Sequence, residues 1–162
     1  MISVSLRDWL KNGWLTEHIT SSEEIKDLFD AVDRDLTDCQ LPGLSPDWRL
    51  HIAYNAALLI AAASLAAAGY RPTRESHHYR LIQSLAYTIK ADAILIKRFD
   101  VFRKKRNISG YERTGMISDH EATEMIDLAS QLRSEVTKWL QANYPDFVKT
   151  QKVSHRLLRG YA

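Results

Sequence analysis

The sequence has little of several things: one cysteine (Cys39), six glycines and four prolines among 162 residues. A single thiol has no partner in the chain, which excludes a disulfide-stapled scaffold. So few glycines and prolines exclude collagen-like and low-complexity chains, and most of them fall between apolar-periodic segments, as in a helical domain. Long apolar runs are also missing. The longest, Ala56 to Ala68, is interrupted only by Ser64, and as a helix it would rise about 20 Å, short of the roughly 30 Å bilayer core. It reads as a buried helix of a soluble protein. Met1 to Trp9 include Arg7 and Asp8 and form no basic, apolar leader, so a cytoplasmic location is expected. Nor does one charge sign dominate: 22 Lys and Arg face 20 Asp and Glu, a formal net charge of +2. Taken in bulk, that value gives no reason to expect a polyanionic ligand.

The distribution of charge changes this. Residues 1–47 hold four cations and ten anions, whereas residues 48–162 hold eighteen and ten. An acidic N-terminal segment is joined to a basic remainder, and the cations concentrate further. Lys97, Arg98, Arg103, Lys104, Lys105, Arg106 and Arg113 lie close together with only Asp100 and Glu112 against them. Phe99, Phe102 and Tyr111 are interleaved, a pattern that suits phosphate contacts with stacking nearby, although a solvated helix end would look similar.

Helical periodicity organises almost the whole chain. Ser5 caps a short helix holding Leu6, Trp9 and Leu10 that stops near Gly13. Ser21 and Glu24 form a capping-box pattern before the stripe Ile25, Leu28, Phe29, Val32 and Leu36. Pro42 and Gly43 break the chain, and Ser45 with Pro46 starts a helix to Ala68, apolar nearly all round after Asn55 and ended by Gly69. A helix is expected over about Glu75 to Lys90 with the stripe His78, Ile82, Leu85 and Ile89. A further segment, about Asp92 to Asn107, has the stripe Leu95, Phe99, Phe102 and Arg106; the spacing does not decide whether the two are continuous. Ser109 and Gly110 supply turn chemistry. Ser118 and Glu121 form a second capping box, opening a last helix to about Asn143 that buries Ala122, Met125, Ile126, Ala129, Val136 and Leu140 and is stopped by Pro145. No strand pattern of period two is present, and no internal repeat. The expected fold is an all-α, up-and-down bundle of about four long helices (45–145), with an acidic helical extension (1–44) and a basic tail (146–162).

No cofactor motif is visible. The six histidines and one cysteine show no HExxH and no Cys pair, so no metal is expected, and P-loop, dinucleotide-binding and α/β-hydrolase motifs are absent. The carboxylates of the second helix (Glu23, Glu24, Asp27, Asp30, Asp33, Asp35, Asp38) read as a solvated face. Two features stand out. Arg106 continues a core-facing stripe, so its guanidinium must find acceptors or a cleft, unless it snorkels to water at the helix end. His77 and His78 adjoin, with His78 on the apolar stripe; a core histidine with satisfied nitrogens is the plainer reading, proton transfer the functional one.

The stretches DWRLHIAYNAALLIAAASLAAAGYRPTRESHH and FRKKRNISGYE, followed by a capped final helix, resemble bacterial HEPN-domain proteins over roughly residues 45–143. The family's RNase signature is an Arg, usually followed by Asn, Asp or His, and then a His four to six residues on. Arg106 and Asn107 match it, and Tyr111 stands where the His would be. The resemblance implies a homodimer that brings two such motifs to an interface cleft and acts on RNA or a nucleotide as a metal-independent endoribonuclease of a toxin–antitoxin or defence system. Arg106, Asn107 and Tyr111 would carry the chemistry, and Arg103, Lys104, Lys105 and Arg113 would hold the nucleic acid. Tyrosine, with a pKa near 10, is a poor base at neutral pH, so His77, His78 or His120 are the alternatives for the missing imidazole. The competing implication is a non-catalytic helical interaction module, or the partner of a nucleotidyltransferase that modifies Tyr111. The acidic second helix could also cover the basic segment.

Overall fold

Serine hydroxyls open helices at four points in the computed structural model, which describes residues 5–109 and 116–148. Ser5, Ser21, Ser45 and Ser118 each accept the backbone N–H three residues on, starting α1 (Leu6–Lys11), α2 (Ser22–Asp38), α3 (Pro46–Ala67) and α6 (Asp119–Asn143). Such a hydroxyl satisfies one of the orphan amide donors of the first turn and is worth about 1 kcal/mol. Between α3 and α6 lie α4 (His77–Ser84) and α5 (Ala93–Ser109), the latter started by the Asp92 carboxylate, which accepts the Leu95 N–H at 2.8 Å. The described chain is mostly helical.

Helix α3 is the centre. Leu50, Ala53, Tyr54, Ala56, Ala57, Ile60, Ala61 and Leu65 are all fully buried, and the alanines let neighbouring helices approach its backbone. It packs most extensively on α6 and α2, and α4 and α5 cover the rest. Its length and composition alone would allow it to cross a membrane, but 72% of its apolar window is buried within the protein. Ile25, Phe29 and Val32 of α2 lie in the same continuous core as α3 and α6, so residues 1–44 share that core with 45–145. Full burial of each such side chain contributes roughly 1.5–3 kcal/mol.

Several expectations need correction. Two short strands exist, β1 (Leu15–Glu17) and β2 (Tyr70–Pro72), paired antiparallel with Leu15 opposite Pro72 and Glu17 opposite Tyr70. The His18 N–H donating to the Gly69 carbonyl extends the ribbon. Three residues are too few to display an alternation. Gly69, with φ +98°, ends α3 as its spacing predicts, although the last helical residue is Ala67 rather than Ala68.

The helix expected over Glu75–Lys90 spans only His77–Ser84. Beyond it the backbone tightens into three-residue turns. Lys90 then adopts φ +56°, and the Ala91 N–H reaches back to the Leu85 carbonyl at 3.0 Å. This left-handed closure separates α4 from α5. Helix α5 continues to Ser109, through the residue expected to turn. Residues 145–148 form one more helical turn after Pro145. The Ser21–Glu24 box is half made: Glu24 Oε1 takes His18 Nε2 at 2.8 Å and Thr20 Oγ1 at 3.2 Å instead of returning to the Ser21 backbone.

On the acidic face of α2, Glu23, Asp27, Asp30 and Asp33 are exposed as expected, and Asp35 is the exception. Asp35 is buried and accepts from Asn55 Nδ2 at 2.8 Å. Asp33 receives Arg133 of α6 through two N–H donors at 2.6 and 3.0 Å. Among the described residues the α2 carboxylates form no ion pair with the cations of α5.

Because α2 and α3 share one core, Ile25→Ala is expected to cost about 2–5 kcal/mol. Urea unfolding followed by circular dichroism and by tryptophan fluorescence should show one coincident transition moved to lower denaturant. Separate transitions from the two probes would show that α2 unfolds independently.

Candidate functional site

The N-terminal half of α3 is where its apolar surface is interrupted, by His51 and Tyr54 one helical turn apart and by Asn55. Helix α5 crosses this region and brings Arg106 to it. Leu95, Phe99 and Phe102 of the same stripe are buried, and Phe99 meets the Tyr54 ring edge-on at 5.8 Å. One turn further, Arg106 is half-buried and faces the polar interruption. Its Nε–H donates to His51 Nδ1 at 3.3 Å, and its Cζ lies 5.1 Å from the centre of the Tyr54 ring. The guanidinium thus has partners on α3 rather than an escape into water, and the cation–π contact adds to the hydrogen bond.

This arrangement sets protonation states. An arginine N–H only donates, so His51 Nδ1 holds the lone pair and the neutral ring carries its proton on Nε2. Burial, followed by the Arg106 charge, lowers the His51 pKa, while Asp47 opposes the shift. Tyr54 is fully buried, and its hydroxyl shares a hydrogen bond with His78 Nδ1 at 3.3 Å. Burial pushes the phenol up to about 12, against the pull of Arg106 and Arg103, so it stays protonated. His78 is pushed down to about 4, first by burial and then by His77, Arg106 and Arg103. A run of residues from α3, α4 and α5 therefore holds two neutral imidazoles beside two permanent cations.

The cluster opens into a cleft of about 220 Å³ lined by Ser76, His77, His78, Tyr79, Arg103 and Asn107. Ser76 enters α4 with φ +53°, a left-handed conformation that costs a non-glycine residue about 1 kcal/mol and is commonest at functional turns. His77 is exposed in the cleft wall with its ring edge-on to His78, centroids 4.3 Å apart. Its Nδ1 lies 3.3 Å from the Arg74 carbonyl. A carbonyl only accepts, so that bond puts the proton on Nδ1 and leaves the lone pair of the neutral ring on Nε2. Arg103 donates Nε to Asp100 at 2.7 Å, which fixes the guanidinium at the cleft. Arg103 and an oriented imidazole in the cleft, with the Arg106 charge beside them, can hold an anionic group and exchange a proton with it.

The residues expected at the site thus divide. Asn107, Arg103, His77 and His78 line one cleft, and Arg106 lies beside it against His51 and Tyr54. Lys105 turns instead to the Glu121 carboxylate of α6, and Lys104 is exposed with its ammonium 3.5 Å from Asp100. His120 pairs with Glu124 on its own helix at 2.9 Å. Tyr111 and Arg113 lie outside the described residues. Among the described residues no group of three histidine, cysteine or carboxylate side chains is gathered as a metal site. His51 and Tyr54 were missed in the sequence; the signal was a histidine and a tyrosine three apart on the helix expected to be most buried.

The His78 shift has a consequence for stability. The folded state resists a proton that the unfolded chain binds near pH 6.5, so stability is lost as pH falls from about 6.5 towards about 4. Urea midpoints measured across that range should fall less steeply for His78→Gln than for the wild type; equal slopes would show that His78 protonates freely in the folded protein. No family model, curated protein or solved structure matches this chain.

Proposed function

We propose that this chain is an HEPN-type RNA-binding protein that cleaves RNA without a metal ion at the cleft between α4 and α5. The observation that carries the reading is the small opening that gathers Arg103 and Asn107 with His77, backed by Arg106, which is hydrogen-bonded to His51 beside it. The Arg-Asn pair is also the part of the sequence that resembles the family's signature. An RNA phosphodiester would be held by the guanidinium groups, which also stabilise charge as the phosphorus becomes five-coordinate. His77, exposed in the cleft wall with its Nδ1–H tethered, is the residue best oriented to take the proton of the attacking ribose 2′-hydroxyl and pass it to the departing 5′-oxygen as the P–O5′ bond breaks and a cyclic phosphate forms. His78 acts behind it: a neutral ring keeps a third positive charge out of the cluster until the ligand arrives. A bound phosphate offsets the field of Arg103 and Arg106 and raises the His78 pKa. The resemblance extends the proposal to a homodimer that brings two such motifs to an interface cleft.

Anisotropy titrations of labelled RNA should show binding that weakens steeply between 50 and 200 mM salt. Arg106→Ala should weaken it at every salt concentration and reduce the log–log salt slope by about one. In EDTA the wild type should shorten a mixed RNA pool, and Arg106→Ala and His77→Ala should not. An Arg106→Ala protein that binds RNA like the wild type would remove the assignment of the site. Binding that persists without cleavage by the wild type would remove the catalytic part alone.

A further inference from the structure

The cleft has a neighbour on the far side of Tyr79. A second hollow of about 460 Å³, bordered by Gln83, Ala86, Ile96 and Lys97, shares Tyr79 as part of its wall. Tyr79 therefore stands as a post between two openings, and it is 36% exposed. Guanidinium groups approach its ring twice: Arg103 and Arg80 each place Cζ 5.5 Å from the ring centroid. Arg80 continues onto the indole of Trp14 at 3.7 Å, and Trp14 is also 36% exposed. Arg103, Tyr79, Arg80 and Trp14 thus form a ladder of alternating cations and rings across the surface, running out of the His77–Asn107 cleft.

We propose that Tyr79 is a stacking post for a single strand of RNA that crosses from one hollow to the other, with a phosphate on Arg103 and an unpaired base against the tyrosine ring. The proposal rests on the RNA-binding reading above and adds the form of the substrate to it. The chemistry selects a single strand for two reasons. A duplex keeps its base faces covered by its own neighbours, so it has no π-face to offer a ring. A strand laid over the post meets cations in sequence, with Arg103 on the near side and Lys97 bordering the far hollow. Asp100, the acid in this path, is already engaged by Arg103 at 2.7 Å and Lys104 at 3.5 Å, so its charge is offset and it serves to hold Arg103 at the post. The rungs beyond Tyr79 also have a structural task, since Arg80 clamps Trp14 and Trp9 to α4. Tyr79 also receives Arg80 at 5.5 Å, but it is the rung that lines both hollows and keeps 36% of its surface exposed to them.

The test compares wild type, Tyr79→Ala and Tyr79→Phe in low-salt titrations of a labelled single-stranded RNA of roughly eight nucleotides and of the same sequence annealed to its complement. The wild type should prefer the single strand. Tyr79→Ala should lose about tenfold on the single strand and little on the duplex, and Tyr79→Phe, which keeps the ring, should stay within about twofold of the wild type. Loss in both tyrosine variants, or in neither, would overturn the stacking role, as would equal loss on duplex and single strand. If Tyr79→Ala binds normally while Arg106→Ala does not, the post is wrong and the RNA site stands. If the wild type binds neither RNA, both readings fall together.

Discussion

A helix of 22 residues that is apolar on nearly every side has to be surrounded, and the rest of this protein is arranged to do so. Helices α2 and α6 take the largest shares of α3, and α4 and α5 close what remains. The apolar surface of α3 is interrupted at His51, Tyr54 and Asn55. Each of those side chains demands a polar partner that the enclosing helices must supply. Asp35 of α2 meets Asn55, His78 of α4 meets Tyr54, and Arg106 of α5 meets His51. The site is the place where burial of the central helix is settled by hydrogen bonds instead of by apolar contact.

That origin explains its electrostatics. Arg106 cannot retreat to solvent without abandoning His51, and burial keeps the proton on the Tyr54 phenol. Burial and positive charge act in the same direction on both imidazoles, keeping them neutral. The site consequently carries its positive charge on arginines, which cannot lose it, and keeps His51 and His78 neutral. Asp35 and Asp33 of α2 are engaged elsewhere, with Asn55 and Arg133.

Much of the fold was legible in the residues. Ser45–Pro46, Ser118–Glu121 and Gly69 mark helix ends that the backbone honours, since capping chemistry is local. The buried set on α6 follows its spacing for the same reason. Legibility failed where distant segments decide. The Ile82–Leu85–Ile89 stripe could not reveal that Lys90 would turn left-handed and end the helix early. Glu24 could not be seen to prefer His18 over its own cap, nor Asp35 to be drawn inward by Asn55. At the site, Arg106 was identifiable because a charge on an apolar stripe is conspicuous. His51 and Tyr54 were not, because a histidine and a tyrosine within a buried helix look like core until the residue facing them is known.

The ribbon between β1 and β2 also has a kinetic meaning. The helices and their caps depend on neighbours a few residues away and can form within microseconds. Joining Leu15 to Pro72 requires closing a loop of more than fifty residues, for the return of a few backbone hydrogen bonds. Docking of α2 on α3 brings the ends of that loop together and so reduces the entropy the pairing has to overcome. Trp14, which flanks the ribbon and lies under Arg80, is thereby placed to report that closure: its indole acquires its cationic neighbour only when the two ends of this loop have met.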